Sequence, residues 1–289
     1  LNAAATLDRQ LSALSCQLGV GNYEVVVCDN GSTDRTVDIA RAWANRIPHL
    51  TLVDASARRG AAYARNRGVK ATAGDLVAFC EADDEVEPGW LAALAEAAGA
   101  DHDMVGGRID VTSLNAPAVR AWRNWDPPSD RLPVKSNFLP FAIGANCAIW
   151  RDVLSSVGGW NETYDVQTDV ELSWRVQLSS FRLGFAPDAV VRYSFRDSMP
   201  ALARQSYRFG RTDARLARDF RRLGAPPVAV LQTVGGWVSL AAQGPDLARC
   251  GALWGALLQH HAWLAGRVAG SARYGLHRAL PGDRGPATR

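Results

Sequence analysis

Three carboxylates stand within four positions at Glu81-Ala82-Asp83-Asp84, directly after the apolar run Leu76–Cys80. Crowded at the end of a strand, such groups repel one another unless a cation or hydrogen-bond donors offset their charge. Mg2+ or Mn2+ does this well, because it takes one or two carboxylates together with substrate phosphate oxygens. A solvated acidic turn ahead of a helix starting near Pro88 is the competing explanation of the same residues. A further acid, Asp29, closes the β-branched run Glu24-Val-Val-Val-Cys-Asp29 and leads into Asn30-Gly31-Ser32-Thr33-Asp34. A carboxylate there could accept hydrogen bonds from a base or a ribose, and a helix N-terminus behind it offers N–H groups to polar atoms. Equally, Asn-Gly makes a turn and Ser32 or Thr33 caps the helix.

Both acidic segments need a frame, and the spacing of apolar runs predicts one. Strands are expected at Glu24–Asp29, Leu50–Val53 and Leu76–Cys80. Helices are expected between them at about Thr33–Asn45 and Ala61–Ala73, and then from Pro88 to Gly99. Such alternation predicts an α/β fold with a mainly parallel, mixed sheet flanked by helices, in which ligands bind beyond the carboxyl ends of the strands. Further on, a strand near Met104–Ile109, a short helix near Ala116–Arg123 and a strand at Ala145–Trp150 are expected. A helix over Asp169–Ser179 follows, with Val170, Trp174 and Leu178 recurring every four residues. Asp169 at its start suits either a proton acceptor or a first-turn charge near the helix dipole.

A hydrophobic content of 47% and 21% charged residues describe an ordinary folded chain, and a formal charge of +3 is too small to imply a nucleic-acid partner. Positive charge is instead local. Arg204, Arg208, Arg211, Arg215, Arg218 and Arg222 recur at helical spacing, opposed by only Asp213 and Asp219. A guanidinium stripe of this kind fits an anionic membrane surface; a solvated basic face is the alternative. Beyond Pro226-Pro227, Val228–Gln243 and Cys250–Gly266 are apolar but interrupted, which suits interfacial or re-entrant helices, or else a packed helical subdomain. Five cysteines without a C-x-x-C pair fit a reducing cytosol. The expected domains are residues 1–197, a basic and apolar helical extension over 198–280, and a disordered tail over 281–289.

Several stretches in order resemble family 2 glycosyltransferases. They are Glu24–Thr36, Arg59-Gly-Ala-Ala-Tyr-Ala-Arg-Asn-Arg-Gly68, Gly74–Asp84, Gly144-Ala-Asn-Cys-Ala-Ile-Trp-Arg151, Val157-Gly-Gly-Trp160 and Thr168-Asp-Val-Glu-Leu-Ser-Trp-Arg175. The resemblance implies the GT-A nucleotide-diphospho-sugar transferase fold and inverting transfer from a nucleoside-diphosphate sugar to a hydroxyl of a glycan or lipid-linked acceptor. It implies that Asp29 and Ser32 serve the nucleotide, with Arg59 and Arg65 near the diphosphate. Glu81 and Asp83 would hold Mn2+ or Mg2+, Asp169 would be the general base, and Gly159 and Trp160 would lie by the sugars. It also implies work on cell-envelope polysaccharide at the cytoplasmic face of the plasma membrane. A dinucleotide-dependent oxidoreductase is set aside, since Gly19-Val-Gly21 precedes a strand rather than following one.

Four departures from the family pattern matter. Glu81 stands where an Asp is usual, Thr168 where a Glu usually precedes the catalytic Asp, and Arg192 where many relatives carry His. The family's first strand would precede Leu1-Asn2. A sheet without it would leave two rows of backbone groups unpaired, so the chain by itself is expected to be incomplete or unstable. The alternative function is a catalytically weak relative that binds nucleotide or a partner.

Overall fold

The computed structural model describes residues 1–47, 49–123, 125–227 and 253–274. It divides into two compact units. The first comprises Leu1–Ala116 and Trp125–Phe195.

In the first unit, helix α1 (Leu7–Ser15) precedes strand β1 (Val25–Asp29), helix α2 (Thr36–Trp43), strand β2 (Leu50–Asp54) and helix α3 (Ala61–Ala71). Strand β3 (Leu76–Cys80) follows, then the two-residue β4 (Glu85–Val86), helix α4 (Trp90–Gly99) and strand β5 (Met104–Asp110). β1 ends where Asn30-Gly31 turns the chain, with Gly31 at a φ of 85° that side-chain-bearing residues rarely adopt. Gly68 lets α3 settle on β1, because a Cβ there would lie 2.8 Å from Cys28 Sγ.

After the short α5 (Pro117–Arg123) and a hairpin of β6 (Val134–Lys135) and β7 (Leu139–Pro140), strand β8 (Asn146–Trp150) runs into α6 (Arg151–Ser156). Helix α7 (Thr168–Leu178) and strand β9 (Leu183–Arg192) complete the unit. β1 and β2 pair in parallel, while the main sheet has the order β3-β8-β5-β9-β4. Within it only β5–β9 is parallel; β3–β8, β5–β8 and β4–β9 are antiparallel. The α/β fold with a mixed sheet and covering helices is thus as expected, but the sheet is not mainly parallel: among the described residues parallel pairing is confined to β1–β2 and β5–β9, because β8 enters between β3 and β5 antiparallel to both. Among the described residues no ladder joins β1–β2 to the five-stranded sheet.

Two apolar clusters fix the helices on the sheet. Leu94, Trp90, Val105, Ala148 and Val191 centre one, and Trp160, Phe79, Ile149, Leu172 and Val176 the other. Within α7, Val170 and Trp174 are buried as the four-residue recurrence requires, but Leu178, at the last turn, is exposed.

Among the described residues the second unit is helical: α5, α8 (Met199–Asp219), a 3-10 turn (Arg221–Leu223) and α9 (Leu253–Arg273). The expected division at residue 197 leaves α5 with the first domain, but α5 groups with the second unit. Arg123 settles the matter by burying its guanidinium against the Arg196 carbonyl at 2.8 Å and Gln205 Oε1. α8 and α9 lie side by side, since Gly210 and Gly266 admit the facing backbones of Trp263 and Tyr207, with which any Cβ would collide. Trp263 Nε1 donates to Asp213 at 2.8 Å. The arginine stripe is carried by α8 through Arg218, and Arg222 falls in the 3-10 turn beyond it. α9 therefore belongs to a packed helical unit, the second of the two expectations for this stretch. Val228–Gln243 and the tail 281–289 lie outside the described residues. No described helix is long and apolar enough to cross a membrane.

Candidate active site

The loop after β3 gathers its acids as the sequence suggests. One oxygen from each of Glu81, Asp83 and Asp84 lies within 4.8 Å of the others. α1 braces this loop from behind. Gln10 Nε2 donates to the Glu81 carbonyl at 3.0 Å, and Arg9 donates to the Asp83 carbonyl at 2.9 Å while pairing with Glu85.

Asp84, which the resemblance left without a role, is the buried member, at 1% exposure. Its Oδ1 accepts from the Ser194 N–H at 2.8 Å, and its Oδ2 has no hydrogen-bond partner. Burial, and then the charges of Glu81 and Asp83, push its carboxyl up to about 9. An orphaned buried acceptor in a cluster of hard oxygen donors fits a divalent cation of the Mg2+ or Mn2+ type. Asp84 was present in the sequence run; only its burial marks it out.

Asp169 sits in the first turn of α7. Its Oδ2 accepts from the Gly144 N–H and its Oδ1 from the Val170 N–H, both at 2.9 Å. Arg65, projecting from α3, stands between this acid and the metal-type cluster. It donates to Glu81 Oε1 at 2.9 Å, to the Gly144 carbonyl at 3.2 Å and to Thr168 Oγ1 at 3.3 Å. Its guanidinium lies 4.5 Å from the centre of the Trp160 ring. Trp160 itself is 1% exposed, edge-on to Phe79, with its backbone clamped on both sides by Asn66. Its ring therefore faces Arg65 and the core rather than the surface. Gly159, at a φ of 75°, directs its carbonyl to Arg175, which also pairs with the buried Glu171.

Tyr193, another residue without a sequence-level role, is half-buried behind the acids. Burial pushes its hydroxyl well up from the ordinary tyrosine range, reinforced by Glu81, Asp84, Asp83 and Asp169 in turn. Trp125 and Phe195 stack edge-on around it.

Asp29 occupies the end of β1, and its carboxylate accepts from the N–H groups of Gly31 and Ser32 in its own turn. Ser32 Oγ accepts from the Asn2 N–H at 2.9 Å. Arg59 is exposed, beside Gly31. Asn30 ties this corner to the start of α3, from which Arg65 projects: its Oδ1 accepts from the Gly60 N–H at 2.8 Å. Arg192, at the end of β9, pairs with Glu85 at 2.7 Å and Glu87 at 3.2 Å, so its charge is directed at β4.

The model of the family "Glycosyl transferase family 2" matches residues 1–158, more than half of the chain. The chain belongs to glycosyl transferase family 2. This family 2 chain is 32% identical to a PGL/p-HBAD biosynthesis glycosyltransferase of Mycobacterium bovis, over 67% of its own length and 70% of the relative's. It is 27% identical to the glycosyltransferase AglE of Haloferax volcanii, over 73% and 69%. Among solved structures, a mannosyltransferase from Pyrobaculum calidifontis in complex with GDP-Man and Mn2+ superimposes with a TM-score of 0.58 at 22% identity, covering 96% of this chain and 73% of that one. S. aureus TarS 1–349 in complex with UDP does so with 0.53 at 17% identity, covering 95% and 89%. These neighbours show the fold: it is that of GT-A glycosyltransferases.

Proposed function

We propose that this glycosyltransferase inverts the anomeric centre in one in-line displacement, with Asp169 as the general base. The acceptor hydroxyl oxygen forms a bond to the anomeric carbon as the bond from that carbon to the diphosphate oxygen breaks. The bonding pair leaves with the nucleoside diphosphate, and Asp169 takes the hydroxyl proton. Glu81, Asp83 and Asp84 would hold a divalent cation, which when bound offsets the negative charge of the diphosphate. Asp29 and Ser32 would receive the nucleoside, and Arg59, exposed at the same corner, would lie by the phosphates. Gly159 shapes the loop at the sugar side. The observation that carries this reading is Arg65. One guanidinium touches both the Glu81 carboxylate and the residues around Asp169, so acid cluster and base lie within the span of a single side chain.

A panel of nucleotide sugars that includes GDP-mannose and UDP-N-acetylglucosamine, assayed with Mn2+ for release of nucleoside diphosphate, tests it. Asp169→Asn is expected to slow release by about 10²–10⁴-fold and to leave nucleotide affinity intact, the usual worth of general-base help. Equal release by wild type and variant would remove Asp169 from the chemistry. The pairing of Glu81 with Arg65 and the neutral Thr168 favour one alternative, a nucleotide-binding relative with weak turnover. That alternative gains if every donor binds and none is turned over.

The second unit extends the reading to place. The exposed arginines Arg204, Arg208 and Arg218 on α8 suit anionic lipid headgroups. Trp254 and Val268 leave apolar surface exposed on α9. A peripheral position at the inner face of the plasma membrane, with a glycan or lipid-linked acceptor of the cell envelope, is the setting in which such a unit serves a transferase. Residues 1–197, apart from α5, would then form the transferase domain, and 198–280 its membrane-associating extension.

A further inference from the structure

The family resemblance implies a place near the diphosphate for Arg65, but its contacts are already committed. Its side chain is 14% exposed, Nη2 is shared between Glu81 and the Gly144 carbonyl, Nη1 goes to Thr168, and one face lies over Trp160. A guanidinium is a rigid planar fork, so these contacts fix its plane as well as its position. Turning it toward a ligand would break them together.

What the fork holds is the peptide of Gly144. The carbonyl of that residue is taken by Arg65 and its N–H by Asp169. The approach of the two side chains depends on glycine, since a Cβ at position 144 would lie 3.0 Å from Arg65 Nη2 and 3.3 Å from Asp169 Cβ. A continuous path thus runs from Glu81 through Arg65 and Gly144 to Asp169. Two departures from the family pattern lie on it. Glu81 reaches Arg65 with a longer arm than Asp would, and Thr168 offers Arg65 a neutral oxygen where a carboxylate is usual. From these two positions one charge rather than two therefore faces the guanidinium.

We infer that Arg65 is a positioning residue that sets the geometry of Asp169 relative to the Glu81-Asp83-Asp84 cluster through the Gly144 peptide, and is not a donor-phosphate ligand. The inference rests on Asp169 acting as the base. Arg65 touches no reacting atom; its removal loosens the base without emptying the nucleotide site.

The test uses the full chain and two readouts. In the first, Arg65→Lys and Thr168→Val are compared with wild type for turnover of the best donor in the panel, and for GDP and UDP affinity by calorimetry with Mn2+. A loosened base is expected to lower kcat by up to about 10²-fold in Arg65→Lys and less in Thr168→Val, with nucleotide affinity unchanged. Loss of GDP or UDP affinity in step with kcat/KM, at constant kcat, would overturn the inference and make Arg65 a phosphate ligand. The second readout needs no turnover. With glycine 15N-labelled and Gly144→Ala used to assign the signal, both Arg65→Lys and Asp169→Asn should shift the Gly144 amide resonance in metal-free protein. An amide that Asp169→Asn moves and Arg65→Lys leaves in place would also overturn it. A wild type inert toward every donor, but with the amide coupling present, would instead count against the transferase mechanism and leave the positioning role standing.

Discussion

Two loops of this molecule begin alike and end differently. β1 finishes in Val-Cys-Asp29-Asn-Gly-Ser32 and β3 in Phe-Cys-Glu81-Ala-Asp-Asp84, each an apolar strand closing on cysteine and then acid. In the first loop the carboxylate is satisfied at home: Asp29 accepts from Gly31 and Ser32, while Asn30 ties the turn to the Ala55 and Arg58 carbonyls and to Gly60 N–H. In the second, the acids face one another and a buried oxygen of Asp84 goes without a partner. The first loop is complete as a hydrogen-bonded structure and offers a pre-shaped corner. The second leaves like charges crowded around an oxygen without a hydrogen-bond partner, the arrangement that a cation would relieve.

Removing an acid from the second loop should therefore cost most. Asp83 is half-buried beside the orphaned Asp84 oxygen and is free of the Arg65 pairing that occupies Glu81. In Asp83→Asn, the rise in thermal midpoint that Mn2+ plus nucleoside diphosphate is expected to give the wild type should vanish, and turnover should fall by about 10²-fold or more, since the cation that Asp83 would help to hold is worth several kcal/mol of transition-state charge stabilisation. Retention of the full Mn2+-dependent shift would place the cation elsewhere.

Asp84 sharpens the contrast through pH. Its carboxyl is pushed up to about 9 by burial and by Glu81 and Asp83, against the Ser194 N–H and Arg9, which favour the ionised form. An unfolded Asp titrates near 4. Between about 4 and about 9 the folded chain thus holds a proton that the unfolded chain has released, so raising the pH across that window lowers the stability of metal-free protein. A cation must displace this proton, and Mn2+ affinity should climb by up to about tenfold per pH unit below that value. Asp84→Asn should flatten both dependences, as thermal melts and Mn2+ titrations from pH 5 to about 8.5 would show. An unchanged slope in the variant would assign the proton to another group.

The two loops were also unequally legible in the sequence. Alternating apolar runs gave β1, β2, β3, α3, α4 and α7 to within a few residues, because each buries one face against a common core. The Glu81–Asp84 run announced itself, since clustered like charges demand an explanation wherever they lie. What stayed hidden depends on long-range contact. Nothing in the residues around Asp84 tells that the Ser194 backbone will cover it, nor that Tyr193, more than a hundred positions away, will stand among the acids. The placement of Arg65 is a third case. The apolar pattern put it on α3 and the family resemblance put it near the diphosphate, but only the fold shows Glu81, Gly144, Thr168 and Trp160 closing around it. The short β4 and the β6–β7 hairpin carry two-residue strands, too brief for a period of two to register.

The smallest expected effect lies in the self-satisfied loop. Asn30 is buried and makes three hydrogen bonds with its amide, to the Ala55 and Arg58 carbonyls and from Gly60 N–H. Asn30→Ala leaves those three backbone groups without their side-chain partner, at a cost of about 1–3 kcal/mol in a chemical melt. Asn30→Asp keeps the acceptor for Gly60 but sets a carboxylate against two carbonyls, so it should be no milder despite its similar size. Neither change touches the acids after β3, and Mn2+ affinity should stay within about twofold of wild type, because the sites share no ligand and distant substitutions act independently. If Asn30→Ala weakened Mn2+ binding as strongly as nucleotide binding, the two loops would be one cooperative unit, and the division between a preformed corner and a charge-completed one would fail.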